Sequence, residues 1–164
     1  MSDESQALDP GEEPSSEPSS EPSSEPSSEV RGIVLTHGTM CHGMVDAVRK
    51  ITGAGDEVLL AISNEGLGPE ALLRMVTEVV GEGPVIIFTD LQTGSCALAA
   101  RFACRDPGTR TVVFGANLPM LLDFVFQRHL PLEELVERLV ERGKTGIRAL
   151  ERNNPDAHRT APGG

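Results

Sequence analysis

Gly32-Ile33-Val34-Leu35-Thr36-His37-Gly38 is the stretch on which the reading of this chain turns. Its apolar core, Ile33 to Leu35, has no polar residue at alternate positions and stops abruptly at Thr36-His37-Gly38. A short apolar run of this kind predicts a strand buried on both faces, as in a parallel sheet covered by helices. The same pattern returns at Val58-Leu59-Leu60-Ala61-Ile62, at Val85-Ile86-Ile87-Phe88 and at Thr111-Val112-Val113-Phe114. Helical spacing lies between these runs. Met44, Val45, Val48 and Ile51 share a face within 40–51, closed by Gly53. Pro69 opens a second helix with Leu72, Leu73, Val76, Val79 and Val80 on its buried side and Gly81 after it. Further helices are predicted at about 95–104, 119–127 and 132–141. Alternating strands and helices give a doubly wound α/β fold with a mainly parallel sheet of four strands.

In such sheets ligands sit beyond the carboxyl ends of strands, where strand order reverses. Two loops are therefore the candidate site: Thr36 to Cys41 after the first strand and Asp90 to Ser95 after the third. His37 can gain and lose charge near neutral pH, which suits a nucleophile or an acid–base group. It needs a partner on its second ring nitrogen to fix tautomer and orientation, and Asp90 stands at the equivalent lip of the third strand. Gly38 and Gly94 permit close approach of backbone to a ligand. Gly94-Ser95 opens a helix whose free N–H groups favour an anion such as phosphate. Together these groups suit phosphoryl transfer through a phosphohistidine. Spacing alone leaves a plainer alternative open, with His37 an inert loop histidine and Asp90 a helix cap.

Composition sets the frame around these loops. The chain has 164 residues and a formal net charge of −11. Nine of its 25 acidic residues fall within residues 1–29, which hold no Lys or Arg, leaving a body with 16 acids against 14 bases. A near-neutral body has no basic excess to hold a phosphate backbone, which argues against nucleic acid as the main partner. Residues 14–29 are four consecutive copies of Pro-Ser-Ser-Glu. With almost nothing apolar to bury, residues 1–30 are expected to form a disordered, extended acidic tail, read as a solubilising spacer ahead of a kinase-targeted docking tail. The tail lacks the basic start and apolar stretch of a signal peptide, and no apolar window is long enough to span a membrane. Three cysteines suit a reducing cytosol better than a disulfide framework, so a cytoplasmic protein is expected.

Four segments occur in order: Gly32 to Gly38; Phe88-Thr89-Asp90-Leu91-Gln92-Thr93-Gly94-Ser95; Phe114-Gly115-Ala116-Asn117-Leu118-Pro119-Met120-Leu121; and Gly143-Lys144-Thr145-Gly146-Ile147-Arg148-Ala149-Leu150. Together they resemble the enzyme IIA domain of the mannose class of the bacterial phosphoenolpyruvate:sugar phosphotransferase system, over about residues 31–150. The resemblance implies a phosphocarrier domain at 31–152 that needs no cofactor, followed by a flexible end at 153–164. His37 would accept a phosphoryl group from the carrier protein HPr and pass it to a IIB component for sugar uptake. Asp90 would hold the other ring nitrogen, and Gly38, Gly94 and Ser95 would cradle the phosphoryl group. It also implies a homodimer in which a C-terminal strand near Gly146–Leu150, antiparallel to the rest, is exchanged between subunits. Two alternatives share the histidine chemistry: a regulatory sensor of phosphorylation state without transport, and a phosphoryl donor to a dihydroxyacetone kinase. The Asn117-Leu118-Pro119-Met120 segment favours the mannose class over the second.

The chain departs from the family's usual Gly-Gly-Ser-Pro, reading Thr93-Gly94-Ser95-Cys96. Thr93 brings a Cβ to a place where an unusual dihedral is expected, and Cys96 lacks proline's fixed φ, so a slightly different cradle is anticipated. Cys96 beside a helix N-terminus is either a thiol of lowered pKa acting as a redox brake or, the favoured reading, a small buried apolar residue. His37, Cys41 and His42 fit no standard zinc spacing, and His42 is expected near the site but not in it.

Overall fold

The computed structural model describes residues 29–106 and 108–150; residues 1–28, with all of the acidic repeat but Glu29, and the segment 151–164 lie outside them. Four strands, β1 (Arg31–Thr36), β2 (Leu59–Ser63), β3 (Val85–Thr89) and β4 (Arg110–Phe114), alternate with helices α1 (Met40–Thr52), α2 (Pro69–Val80) and α3 (Ser95–Ala103). Helices α4 (Leu118–Gln127) and α5 (Leu132–Thr145) close the chain. The sheet is parallel throughout, in the order β2-β1-β3-β4. The chain winds from β1 outward to β2, then crosses back over β1 to β3. Strand order thus reverses between β1 and β3.

Burial follows position in the sheet. The central strand β3 is buried at every residue and β1 at all but Arg31, whereas β2 and β4 on the edges are buried in part. Side chains of β1 alternate between two cores: Val34 joins the α1, α4 and α5 side with Val45, Leu121, Phe124 and Leu139, while Ile33 and Leu35 join the α2 and α3 side with Leu72, Val76 and Ala100. At Gly32 a side chain of α4 lies directly against the sheet. A Cβ there would lie 2.7 Å from Phe124 Cε1 and 2.5 Å from Leu59 Cδ1, so the absent side chain is the seat of the Phe124 ring. That ring meets Phe88 edge to face, with centroids 5.3 Å apart.

The helices agree with their sequence signals at the starts. Pro69 occupies the first turn of α2, and Asn117 caps α4 by accepting a hydrogen bond from the Met120 N–H at 3.2 Å. One end differs from expectation. Helix α5 runs to Thr145, not to 141, because Gly143 is inside it. A Cβ on Gly143 would stand 2.6 Å from Met120 Cε, and one on Gly146 would stand 2.9 Å from Pro119 Cγ. The two glycines let the end of α5 lie against the start of α4, where Asn117 Nδ2 donates to the Gly143 carbonyl at 3.3 Å. At Gly143 the glycine supplies small size and not helix termination, while Gly146 is the C-cap of α5. Residues 146–150, expected as an exchanged strand, form no strand within this single chain, and Ile147 and Leu150 are exposed.

Truncating the fully buried Phe124 to alanine removes the ring that fills the space above Gly32. The expected loss of stability is about 3–5 kcal/mol, read as a lower urea midpoint with an unchanged slope. A shift below about 1 kcal/mol would show that α4 is not held through this ring.

Candidate functional site

The reversal of strand order puts the carboxyl ends of β1 and β3 side by side, with Leu35 in register with Thr89. His37 and Asp90 leave these ends on facing loops. His37 Nδ1 lies 2.8 Å from Asp90 Oδ2, and the His37 backbone N–H donates to the same oxygen at 3.3 Å. The Leu91 N–H donates to Asp90 Oδ1 at 3.0 Å. An ionised carboxylate only accepts, so Nδ1 carries the ring proton and Nε2 of the neutral ring is left with its lone pair. The Asp90 side chain is 11% exposed and that of His37 40%, which places the orienting group below and the ring at the surface. Burial pushes the Asp90 carboxyl up, but the His37 ring, the backbone N–H groups of His37 and Leu91 and the charge attraction of the ring outweigh it. Its pKa therefore lies below the ordinary carboxylate value.

Nε2 faces Gly94. An ideal Cβ on that glycine would stand 3.5 Å from Nε2, and its φ of 93° is one that L side chains rarely adopt. Gly94 is the N-cap of α3 and supplies no side chain, so the first-turn N–H groups of α3 have no capping oxygen. A ring nitrogen with a free lone pair thus looks onto an open helix N-terminus, an arrangement suited to an anion bonded to that nitrogen. The unusual dihedral anticipated at Thr93 falls instead on Gly94, since no non-glycine residue among those described has positive φ. Thr93 is exposed and costs the backbone nothing there.

Sequence reasoning missed Asn64. Ser63 ends β2 in register with Thr36, so Asn64 emerges beside His37 on the flank away from β3. Its Oδ1 accepts from the Gly38 N–H at 3.1 Å and its Nδ2 donates to Ser95 Oγ at 3.3 Å. Ser63 Oγ donates to the Gly38 carbonyl at 2.7 Å and accepts from the Glu65 N–H at 3.0 Å. Three strand ends, not two, build the site. The strand-end rule applied to β2 points to it, since Ser63-Asn64 stands directly beyond the apolar run 58–62. The Gly38 N–H is therefore already paired, and what Gly38 contributes is its turn, with φ of 55°.

The remaining candidates lie apart. Asp90 does not cap α3, whose N-cap is Gly94. Cys96 is fully buried, and desolvation, with the Asp90 charge adding to it and the Ser95 hydroxyl offsetting part, raises its thiol pKa. The redox-brake reading called for a lowered value and is overturned by that burial. Cys41 is buried as well, and burial pushes Cys104 up to about 11. His42 is exposed on α1. Among the described residues no group of three or more His, Cys, Asp or Glu side chains is gathered as for a metal, and no helix is long and apolar enough to cross a membrane.

Comparison with known proteins agrees with this geometry. The family model EIIA-man, described as PTS system fructose IIA component, matches residues 32–140, well over half of the chain. Among solved structures, the phosphotransferase system component EIIA from Streptococcus agalactiae is 21% identical with a TM-score of 0.67, covering 73% of this chain and 96% of that one. The mannose/sorbose-specific IIA subunit from Enterococcus faecalis is 20% identical with a TM-score of 0.67, covering 76% and 96%. A PTS IIA protein associated with the fucose utilization operon of Streptococcus pneumoniae is 22% identical with a TM-score of 0.58, covering 74% and 93%. No curated protein matches the chain. Four parallel strands wound in this order, with both motif-bearing loops inside the matched span, place the chain in the EIIA-man family, the sugar phosphotransferase-system IIA components.

Proposed function

We propose that this chain is a cytoplasmic phosphohistidine carrier, with the domain at 31–152, that takes a phosphoryl group from phospho-HPr on His37 and gives it to a IIB component for sugar uptake. The observation that carries the proposal is the 2.8 Å contact of Nδ1 with Asp90, which leaves Nε2 bare opposite the uncapped start of α3. In the forward step the donor's bond to phosphorus breaks as the Nε2 lone pair forms the new P–N bond. The ring takes positive charge, which the Asp90 carboxylate stabilises through the Nδ1 proton. Gly94 leaves room for the group, and Ser95 with the first N–H groups of α3 receives its oxygens. Transfer to IIB runs the same step backwards from the new P–N bond. No proton need be exchanged with solvent in either direction.

Incubation with phospho-HPr is expected to label the protein once, through an acid-labile and base-stable bond. His37→Ala should abolish the label and His42→Ala should retain it. A full label on the His37 variant would overturn the assignment. Adding IIB separates transport from the two alternatives: discharge to IIB supports uptake, and a label passed only to a dihydroxyacetone kinase supports the donor role. A label held against both acceptors supports a regulatory role.

Asp90→Asn should keep the fold and slow transfer by about 10- to 100-fold, since an amide cannot stabilise the charged ring as a carboxylate does. The lowered Asp90 pKa also fixes a sign. Its stabilising contribution is present above the unfolded carboxylate value and is lost as pH falls through the folded one. An NMR titration should therefore find the Asp90 midpoint below that of an unfolded reference, and higher in His37→Ala. A midpoint that does not respond to loss of the ring would contradict the pairing.

The partner expected from the family resemblance is also a second copy. Strand β4 ends the sheet, and Ile147 and Leu150 are 79% and 94% exposed beyond α5, which supports exchange of residues 146–150 onto that edge. Light scattering should give twice the 17.5 kDa chain mass, falling to the monomer when the chain is cut after Thr145. A monomeric full chain would exclude the exchange.

A further inference from the structure

Asn64 belongs to neither loop of the site yet bonds to both, and its orientation is forced. The Gly38 backbone N–H can only donate, so the amide atom 3.1 Å from it is the carbonyl oxygen. Nδ2 must then face Ser95 Oγ at 3.3 Å, and because an amide nitrogen can only donate, Ser95 Oγ accepts. A serine hydroxyl has one proton and two lone pairs. With a lone pair committed to Asn64, the proton has to point elsewhere. The next residue, the buried Cys96, offers only a sulfur, a weak acceptor.

We propose that Asn64 is a positioning residue that sets the polarity of the Ser95 hydroxyl, so that its single proton is offered outward to the phosphoryl group on His37. The inference rests on the phosphohistidine reading above. An anionic phosphoryl oxygen at the start of α3 is a far better acceptor than a thiol, so the hydroxyl donates to it without first breaking a stronger bond. The same amide withdraws the Gly38 N–H from the phosphoryl group. One loop thus supplies the nucleophile and the other supplies the donors, with β2 deciding which hydrogen bonds are free.

The test is a double-mutant cycle on the full chain, with His37→Ala as the blank. The single-turnover rate constant for transfer from phospho-HPr is measured for wild type, Asn64→Ala, Ser95→Ala and the double variant. Each single change is expected to slow transfer about tenfold, and the double variant to be no slower than either one. The affinity for HPr should not change, because the hydroxyl acts on the transferring group and not on docking. The ¹⁵N shifts of the His37 ring in Asn64→Ala should match wild type. Losses that multiply in the double variant, an unchanged rate in Asn64→Ala, or displaced His37 ring resonances would each overturn the proposal. Should Asn64→Ala fail to fold, Ser95→Ala carries the test alone through the Asn64 side-chain NH₂ resonances. These must shift when the acceptor is removed, and resonances that stay put would overturn the donor assignment. A wild type that takes no label would overturn the carrier reading itself, whereas a labelled wild type with multiplying losses overturns only the role of Asn64.

Discussion

Strand β1 is hydrogen-bonded on both sides, to β2 and to β3, and every other feature of the site follows from that constraint. A strand so placed can bury both faces, which is why its sequence carries no charge between Gly32 and Thr36. It also ends with a neighbour's terminus on either flank. Asp90 arrives from β3 and Asn64 from β2, so His37 is held at one ring nitrogen and its loop is held at the Gly38 N–H. Neither partner is near it in sequence. The sheet, not the loops, supplies the precision.

The polar groups divide their work by burial. Asp90 is nearly covered and accepts three hydrogen bonds, which keeps it ionised and fixed. His37 is half-exposed, so its outer ring nitrogen is open to solvent. Between these extremes Ser95 and Asn64 are partly buried and face each other. Such a gradient lets a charge on the ring be stabilised from beneath while the ring itself stays reachable. The cysteines beside the site sit on the buried side of it and share the packing of the sheet.

Much of this was legible in the residues. Solid apolar runs mark the strands to within a residue or two, and the strand-end rule picks out His37 and Asp90, which the structure brings to 2.8 Å. What escaped has physical reasons. Asn64 carries no signal in its own neighbourhood, since Ser-Asn after a strand reads as an ordinary turn, and only the strand order 2-1-3-4 brings it to His37. The extra turn of α5 escaped because glycine at 143 reads as a stop unless Met120 is known to lie against it. Thr93 drew suspicion that belonged to its neighbour, because sequence shows which residue is unusual but not which bond carries the strain.

Gly94 then has a consequence in mutational terms. Two independent demands meet at that one residue: a dihedral that a side chain resists, and a volume that the ring nitrogen overlooks. Moving the ring would not relieve the dihedral, so a side chain there stays strained whatever the space. Gln92 and Thr93 are exposed, free of positive φ, and bound by neither demand. The loop before the cap can therefore change its side chains without disturbing the turn at Gly94, which leaves the surface beside His37 open to change while the ring and the start of α3 keep their geometry.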